Sequence, residues 1–361
     1  MPRHAAVVSL SLFTCIAAAA CNTDAPVNPQ QQPSFDIGNP INTGSANPYT
    51  LAVIGDIPYG AQKLEDFPKL IALMNADPKV DVAVHLGDIK AGSSSPCTDE
   101  YFTTIRGLFD TFQDPLVYTP GDNEWTDCHV ASKNNGLYTP TERLQVVRTL
   151  FFPVPGQTLG GRKKQVLTQA DDATNSAYVE NTMFMESRVV FAALNITGSN
   201  NDLASWGSPL PADAASFPTQ AEEVASRAQA NTAWLNKAFA LANTEDAAGV
   251  VLFMQADMWD PTAKLDGFDA LVTQIGTLAA AFGKPVLILE GDSHRFKVDN
   301  PFSASPENAL AHALHPSTPV AEHVTRMVVE GSDGRTEYVR LTIDPKPTTG
   351  SIFSWERVPL Q

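Results

Sequence analysis

Glycine–aspartate pairs recur at four points of the sequence, each directly after a short apolar run. The four pairs are Gly55-Asp56, Gly87-Asp88, Gly121-Asp122 and Gly291-Asp292. Carboxylates gathered in one place repel one another unless a cation lies between them. Glycine lets the chain turn sharply and approach a small ion closely. One Gly-Asp pair alone is most often a plain turn, but four of them, one followed by His294, predict a metal site.

Strands and helices alternate in the first half of the chain, and three of the pairs follow its strands. We expect strands at Thr50–Asp56, Asp81–Asp88 and Leu116–Tyr118, and helices at Leu64–Ala76 and Asp99–Phe112. Continuously apolar strands that alternate with helices are typical of a buried, largely parallel sheet. Ligands of such sheets bind at the carboxyl ends of the strands, where the glycine–aspartate pairs stand.

The second half of the chain continues this alternation, which favours one layered α/β domain. Its predicted elements are two strands within Tyr178–Ile196, a helix at Glu222–Asn243, a strand at Gly249–Met254, a helix at Phe268–Phe282, and strands at Pro285–Leu289, His323–Val329, Tyr338–Ile343 and Ile352–Val358. Asp333-Gly334 lies between two of these strands and predicts a β-hairpin.

The order of these residues resembles the motifs of the calcineurin-like metallophosphoesterase superfamily. The matching stretches are Asp56, Gly87-Asp88, Gly121-Asp122-Asn123-Glu124, the strand that runs to Gln255, and Gly291-Asp292-Ser293-His294. The resemblance implies a four-layer αββα sandwich. It also implies divalent metal ions that activate water for attack on phosphorus.

Five positions depart from the family's motifs. Asp122 stands where the family has Asn, Asn123 where it has its catalytic His, and Asp292 where it has a His ligand. Pro58 replaces another His, and Gln255, or its neighbour Asp257, stands where a metal-binding His is usual. The resemblance therefore implies this set of metal ligands: Asp56, Asp88, Asp122, Gln255, Asp292 and His294.

This ligand set is rich in oxygen and holds a single imidazole. Oxygen ligands suit hard cations, so we expect one or two divalent ions, with Mn²⁺ or Mg²⁺ favoured and Ca²⁺ or Zn²⁺ as alternatives.

The proton donor and the substrate contacts are less clearly marked. Because Asn123 replaces the catalytic His, His129 is a candidate general acid, and an ordinary loop histidine is the alternative. Asn200 and Arg295 are candidate substrate contacts; an Asx turn would explain the first and charge balance the second. Tyr59 lies beside the replaced histidine and could fill its space or orient water.

The N-terminus predicts export. Residues 1–21 have the features of a signal peptide, and Ala18-Ala19-Ala20-Cys21 resembles a bacterial lipobox with Ala where Leu is usual. Lipidation at Cys21 and plain cleavage both remain open. Residues 22–48, rich in Pro, Gln and Asn, predict a flexible linker before a domain at 49–361. In an exported protein the two remaining cysteines, Cys97 and Cys128, predict a disulfide.

Taken together, the sequence predicts an exported phosphoesterase that is periplasmic or at the cell surface. It would contact a membrane only if Cys21 is lipidated. The resemblance implies a small phosphoester substrate, and the net charge of −16 argues against a nucleic-acid surface. A catalytically silent metal-binding lipoprotein of the same fold and a hydrolase of other esters are the alternatives.

Overall fold

Two β-sheets lie face to face in the computed structural model, which describes residue 1 and residues 38–92, 95–130, 137–348 and 350–361. All described strands and helices belong to one compact unit, Ser34–Gln361. Apart from Met1, the predicted signal segment with Cys21 lies outside the described residues, as does the predicted linker as far as residue 37. No helix in the described part of the chain has the length and apolar character that crossing a bilayer requires.

The first sheet has five strands in the order β12-β11-β1-β2-β3. Its strands are β1 (Tyr49–Ile54), β2 (Val82–His85), β3 (Leu116–Tyr118), β11 (Glu337–Ile343) and β12 (Phe353–Pro359). The three N-terminal strands are parallel, and their last residues, Ile54, His85 and Tyr118, are paired in register. The chain therefore leaves all three strands at one edge of the sheet.

The second sheet has seven strands in the order β4-β5-β6-β7-β8-β10-β9. They are β4 (Leu167–Thr168), β5 (Thr182–Glu186), β6 (Val189–Ala193), β7 (Gly249–Phe253), β8 (Val286–Glu290), β9 (Lys297–Asp299) and β10 (Val324–Val328). Strands β6, β7, β8 and β10 are parallel. A hydrogen bond from Asp292 N–H to Asp56 Oδ1 (2.9 Å) joins the loop after β8 to the loop after β1.

Helices cover the outer face of each sheet. The helical segments are α1 (Gly60–Asn75), α2 (Asp99–Phe109), α3 (Pro140–Phe151), the short α4 (Gly198–Asp202), α5 (Gln220–Thr244), α6 (Asp269–Phe282) and α7 (Ala309–Leu314), with 3₁₀ turns at Thr126–His129, Gln169–Asp171 and Ala214–Ser216. Phe67 and Phe102, from α1 and α2, are buried in a cluster on the first sheet, and Trp234 and Ile275, from α5 and α6, in a cluster on the second. The predicted four-layer αββα sandwich is confirmed.

A third apolar cluster fills the space between the sheets. It combines fully buried side chains of the first sheet, such as Leu51 and Val84, with those of the second, such as Phe191 and Leu287. Apolar side chains on both faces explain why these strands are continuously apolar in the sequence. This packing holds the ends of both sheets in fixed relation, which is what a site shared between them requires.

The helix α3 was not predicted, although its sequence contains signals for it. Pro140 occupies the first helical turn, where proline is favoured, and Leu144, Val147 and Phe151 are buried at helical spacing.

The predicted hairpin at Asp333-Gly334 is wrong. A turn does form there, with Gly334 N–H donating to the Gly331 carbonyl (3.2 Å). However, the strand before it, β10, pairs with β8 in the second sheet, and the strand after it, β11, pairs with β1 in the first. Turn residues determine that the chain reverses, but packing of the following strand determines its partner.

The predicted linker extends too far toward the domain. Within its described part, Ile41 forms a β-bridge with Met185, and Asn42 Nδ2 donates to Glu186 Oε1 (2.5 Å). Residues before Tyr49 are therefore already in contact with the second sheet.

Candidate metal centre

Acidic side chains from both sheets converge where the parallel strands end. Asp56, Asp88 and His294 each offer one ligand atom, and these atoms lie within 4.8 Å of one another. Asp88, Asp122 and Asp292 form a second group of the same kind. Asp88 belongs to both groups, so five of the six predicted metal ligands come together around one shared carboxylate.

The backbone at these residues is unusual. Asp56, Asp88, Asp292 and His294 have φ values of 52°, 56°, 69° and 61°, in the left-handed region that most side chains avoid. Aspartate adopts this conformation more easily than most residues, because its short side chain can bond locally. Such backbone strain is concentrated at functional sites. Here it turns the chain sharply at the end of a strand and aims each side chain into the cluster.

Glycines give the carboxylates their space. A Cβ atom at Gly121 would overlap Asp88 Oδ1, and one at Gly291 would overlap Asp56 Oδ2. The glycine of one strand end thus accommodates the aspartate of a neighbouring strand end. The sequence predicted close approach at these positions, but the partner of each glycine depends on the sheet order.

The cluster is electrostatically unfavourable without a cation. Burial raises the pKa of the Asp56 and Asp122 carboxyls to about 7 each. Burial also raises the pKa of Asp88 and Asp292 well above the usual range, and Asp122 is the carboxylate that adds most to both shifts. A divalent ion among these groups would offset their repulsion and return them to the charged form.

The residues present fit such an ion. Asp56 Oδ2 is buried and has no hydrogen-bond partner among the described residues. A buried carboxylate oxygen without a donor is costly, and coordination of a cation satisfies it. The donor set is mainly carboxylate oxygen, the type that Mg²⁺ and Mn²⁺ prefer.

His294 is held in a defined orientation. Its Nε2 lies 3.6 Å from Asp56 Oδ1, and its Nδ1 lies 2.8 Å from Asp333 Oδ2. A carboxylate on the second ring nitrogen is the usual partner of a metal-binding histidine, because it fixes which nitrogen faces the metal.

Asn123 occupies the position that the sequence motif gives to a catalytic histidine. Its N–H donates to Asp88 Oδ1 (3.1 Å), and its Nδ2 donates to Asp88 Oδ2 (2.6 Å) and to the Tyr59 hydroxyl (2.9 Å). The Tyr59 hydroxyl in turn donates to Asp88 Oδ2 (2.8 Å). Asn123 and Tyr59 therefore form a hydrogen-bonded pair on the shared carboxylate.

Glu124 lies behind the site and organises its loops. Its Oε1 accepts hydrogen bonds from the Tyr118 hydroxyl (2.7 Å), Gly121 N–H (2.7 Å) and Asp88 N–H (3.2 Å). These contacts tie the loop after β3 to the loop after β2. Glu124 thereby positions Asp88 without belonging to either ligand group.

Lys90 supplies a buried positive charge next to the acidic cluster. It is fully buried and donates to the carbonyl oxygens of Ala91 (2.7 Å) and Asn123 (3.0 Å). Burial lowers its pKa to about 8, and the carboxylates of Asp88 and Glu124 oppose that change. A lysine buried in this way balances the acidic cluster and is not exposed to a substrate.

Gln255 lies at the same strand ends, since a Cβ atom at Gly121 would overlap its Cγ, and its role as a ligand stays a prediction. Its Oε1 accepts a hydrogen bond from Gly198 N–H (2.6 Å), and its Nε2 has no partner in the described part of the chain. Its amide oxygen is thus already engaged by the backbone. The alternative ligand, Asp257, is also engaged, since its Oδ1 accepts from Arg326 Nη1 (2.6 Å), while its N–H donates to Asp292 Oδ2 (3.2 Å).

The candidate substrate contact Asn200 points to a different part of the molecule. It lies in the short segment α4, where Ser199, Asn200, Asn201 and Asp202 all have positive φ. Its Nδ2 donates to Asp266 Oδ1 (3.0 Å), and its Oδ1 accepts from Gly267 N–H (2.9 Å). The prediction for Asn200 therefore conflicts with the direction of its side chain, because the left-handed turn rotates it away.

The neighbouring Ser199 contacts the acidic cluster. Its Oγ lies 2.9 Å from Asp122 Oδ2 and 2.8 Å from Asp127 Oδ1, and it donates its proton to one of them. The role of Asn200 as a substrate contact stays a prediction.

The left-handed turn is held by a buried arginine. Arg227, fully buried in α5, donates to the side chain of Asn201 and to its carbonyl oxygen (3.0 Å). It also pairs with Glu223 (2.8 Å). These contacts stabilise a backbone conformation that costs roughly 1–2 kcal/mol per non-glycine residue.

Neither His129 nor Arg295 contacts the ligand groups. In the described part of the chain, His129 has one hydrogen-bond partner, the Thr126 carbonyl oxygen, 2.6 Å from Nδ1. Arg295 is exposed and forms no ion pair with a described residue. Their predicted roles in proton donation and substrate binding stay predictions.

The predicted disulfide is present. Cys97 and Cys128 are bonded, with 5.8 Å between their Cα atoms. Each Sγ lies 3.7 Å from the Asn123 carbonyl oxygen, so the bridge supports the loop that carries Asn123.

Comparison with known proteins finds one family similarity, in the N-terminal part of the domain. Residues 49–195 match the family model of calcineurin-like phosphoesterases. No curated protein matches the chain. Among solved structures, a dimetal phosphatase from Danio rerio is 10% identical, with coverage of 86% of this chain and 98% of that one and a TM-score of 0.47. GAP50, the anchor in the inner membrane complex of Plasmodium, is 10% identical, with 87% and 89% coverage and a TM-score of 0.42.

The family match covers the strand ends that carry Asp56, Asp88 and Asp122, and the two sheets with their outer helices have the architecture that the sequence motifs implied. Residues 49–195 of the chain are therefore similar to the calcineurin-like phosphoesterase family.

Proposed function

We propose that the protein is an exported hydrolase of small phosphoesters that uses one or two divalent cations, with Mn²⁺ or Mg²⁺ preferred. The observation that carries this proposal is the sharing of Asp88 by two groups of ligand atoms. A carboxylate between two groups is suited to hold two cations at once. The family match to calcineurin-like phosphoesterases supports the same class of reaction.

Each residue has a definite task in this proposal. Asp56, Asp88 and His294 would hold one cation, and Asp88, Asp122 and Asp292 the other. Bound cations supply Lewis-acid activation of water and neutralise charge on the phosphoryl group. Glu124 and Asp333 orient Asp88 and His294 through their hydrogen bonds.

The preference for Mn²⁺ or Mg²⁺ follows from the ligand chemistry. The groups contain four carboxylates and one imidazole, so hard cations are matched better than Zn²⁺. More anionic ligands also offset more of the cation's charge, which leaves bound water less acidic. We therefore expect activity to rise toward alkaline pH.

A specific observation favours a second function, that of a catalytically silent metal-binding protein. Asn123, with its amide bonded to Asp88 and Tyr59, stands where the family has its catalytic histidine. An amide does not act as a general acid, so binding without turnover would be the result if no other group protonates the leaving oxygen.

Hydrolysis assays with defined metal content separate the two functions. Purified protein would be stripped of metal, reloaded with Mn²⁺, Mg²⁺, Ca²⁺ or Zn²⁺, and assayed on a phosphomonoester and a phosphodiester panel. We expect hydrolysis with Mn²⁺ or Mg²⁺ that Asp88→Asn abolishes. Stoichiometric metal without turnover of any phosphoester would establish the silent function.

Export rests on the N-terminal sequence and is supported by the Cys97–Cys128 bridge, since disulfides persist mainly outside the cytosol. Lipidation at Cys21 would place the enzyme at a membrane surface in the periplasm or on the cell surface. Fractionation of cells that express the full chain or its Cys21→Ser variant tests this. We expect the wild type in the membrane fraction and the variant released from it, whereas cytosolic wild type would refute export.

A further inference from the structure

Tyr59 is the site residue for which the family's motifs provide no role. It follows Pro58, which replaces a histidine, and precedes the first residue of α1. Its backbone N–H donates to Ser332 Oγ (3.0 Å). Its side chain is held at two further points: the ring packs edge-on against His294 with 5.1 Å between centroids, and the hydroxyl accepts from Asn123 Nδ2 (2.9 Å). The phenol is thus fixed in the site before any ligand binds.

The accessibility of these groups differs in a useful way. Asp56 and Asp88 are buried, whereas Tyr59, Asn123, Asp292 and His294 are partly exposed. A substrate that reaches the shared carboxylate must therefore pass beside this exposed set. Of the set, Tyr59 and Asn123 are the neutral hydrogen-bond donors.

Occupation of the site changes what the Tyr59 hydroxyl can do. Asp88 Oδ2 accepts from both Tyr59 (2.8 Å) and Asn123 Nδ2 (2.6 Å). A cation on this oxygen would face the positive ends of both donors. The phenolic hydrogen can turn away by rotation about one C–O bond, because the oxygen keeps its hydrogen bond from Asn123. The O–H would then be free to point toward the opening.

We propose that Tyr59 is a catalytic residue that donates a hydrogen bond from its hydroxyl to a phosphoryl oxygen of the bound substrate. This inference rests on the proposed phosphoesterase function and assigns the oxyanion contact within it. Asn123 acts as a positioning residue, since it holds the phenolic oxygen in place. No proton is transferred in this step. The Tyr59 hydroxyl donates a hydrogen bond to the phosphoryl oxygens, on which negative charge develops during the reaction.

The test measures metal content and phosphate binding separately from turnover. Mn²⁺-loaded wild type, Tyr59→Phe and Tyr101→Phe would be compared by elemental analysis and by calorimetric titration with inorganic phosphate. Tyr101 is a matched control, because its hydroxyl bonds the carbonyl oxygens of Pro58 and Ile89 (3.4 Å each) and not Asp88. A hydrogen bond to a charged group is worth enough to change affinity about ten- to hundred-fold.

We expect Tyr59→Phe to keep its metal and to bind phosphate about ten- to hundred-fold more weakly, while Tyr101→Phe matches the wild type. Loss of metal in Tyr59→Phe would make Tyr59 a ligand and overturn the proposal, as would unchanged phosphate affinity. If Tyr59→Phe does not fold, Asn123→Ala tests the same hydrogen-bond chain. Phosphate affinity that is unchanged in that variant would also refute it.

The outcomes distinguish this inference from the function on which it rests. Phosphate binding that depends on Tyr59, without hydrolysis of any phosphoester, would uphold the contact and reject the enzyme. Hydrolysis by the wild type that Tyr59→Phe leaves intact, with phosphate affinity unchanged, would uphold the enzyme and reject the contact.

Discussion

Removal of the Cys97–Cys128 bridge should weaken both the fold and the site. The perturbation is the double variant Cys97→Ala, Cys128→Ala. Both cysteines are fully buried, and their sulfur atoms flank the Asn123 carbonyl oxygen at 3.7 Å. The bridge connects the loop after Asp88 with the turn after Glu124. Without it, a hydrogen bond such as that from Asp88 N–H to Glu124 Oε1 (3.2 Å) still joins the described parts of these loops.

The size of the effect follows from the loop that the bridge closes. The two cysteines are 31 residues apart in the sequence. In the chain-entropy model, opening a loop of that length raises the conformational entropy of the unfolded state, which lowers the free energy of unfolding by about 3.7 kcal/mol at 25 °C. This is a large part of the roughly 5–15 kcal/mol that stabilises a typical domain.

Urea unfolding of the mature chain measures this difference. Under non-reducing conditions, the wild type should unfold at a higher urea concentration than the double variant. Its free energy of unfolding should be larger by about 3–4 kcal/mol. Reduced wild type is the control, because it loses the bond and keeps both sulfur atoms. If the free energies of unfolding of oxidised and reduced protein differ by less than about 1 kcal/mol, the entropic reasoning is refuted. Two reactive thiols in unfolded, non-reduced protein would refute the bridge itself.

Three further predictions concern the metal centre. Asp88→Asn should reduce bound Mn²⁺ far more than Asn200→Ala, because only Asp88 belongs to both ligand groups, and equal metal content by elemental analysis would show that the cluster is no metal site. The double change Asp122→Asn, Asn123→His should shift the pH–rate profile to lower pH and improve activity with Zn²⁺, because it removes an anionic ligand and restores an imidazole. A wild type that is most active with Zn²⁺ near neutral pH would contradict this reasoning. Metal-free protein should lose stability as pH rises toward 7. Burial raises the folded-state pKa of Asp56 and Asp122 from 3.8 to about 7, so both carboxyls stay protonated in the folded protein after they ionise in the unfolded chain. The stability that this difference contributes is complete below pH 3.8 and is lost between pH 3.8 and about 7. Thermal unfolding over that pH range measures it, and a midpoint that rises instead would count against the buried-carboxylate account.

The limits of sequence reasoning are clearest at α4. The sequence predicts a substrate contact at Asn200 in this segment, but it does not predict the left-handed backbone within Gly198–Asp202. That conformation depends on Arg227, which lies more than twenty residues away in the sequence and is brought there by α5. Because the turn reverses which side chains face the site, Ser199 contacts Asp122 and Asn200 does not.

Tyr59 illustrates the same limit in another form. Its place beside Pro58 suggests that it fills the space of a missing histidine or orients water. Its contact with Asp88 and Asn123 requires the loops after β1, β2 and β3 to meet, which follows from the parallel order of these strands.

The sequence by itself determined the strands of the two sheets, except the short β4 and β9, and the acidic residues at the strand ends. Apolar runs, helical spacing and Gly-Asp pairs are local signals, because burial and chain reversal each restrict which residue types occur at neighbouring positions. The tertiary structure alone decided which residues share a site. It placed β10 and β11 in different sheets and put Asp88 between the two ligand groups. It also turned the oxygen of Gln255 to the backbone of Gly198. These outcomes depend on which strands pack side by side, and strand partners are chosen by buried surfaces far apart in the chain rather than by the residues that adjoin each strand.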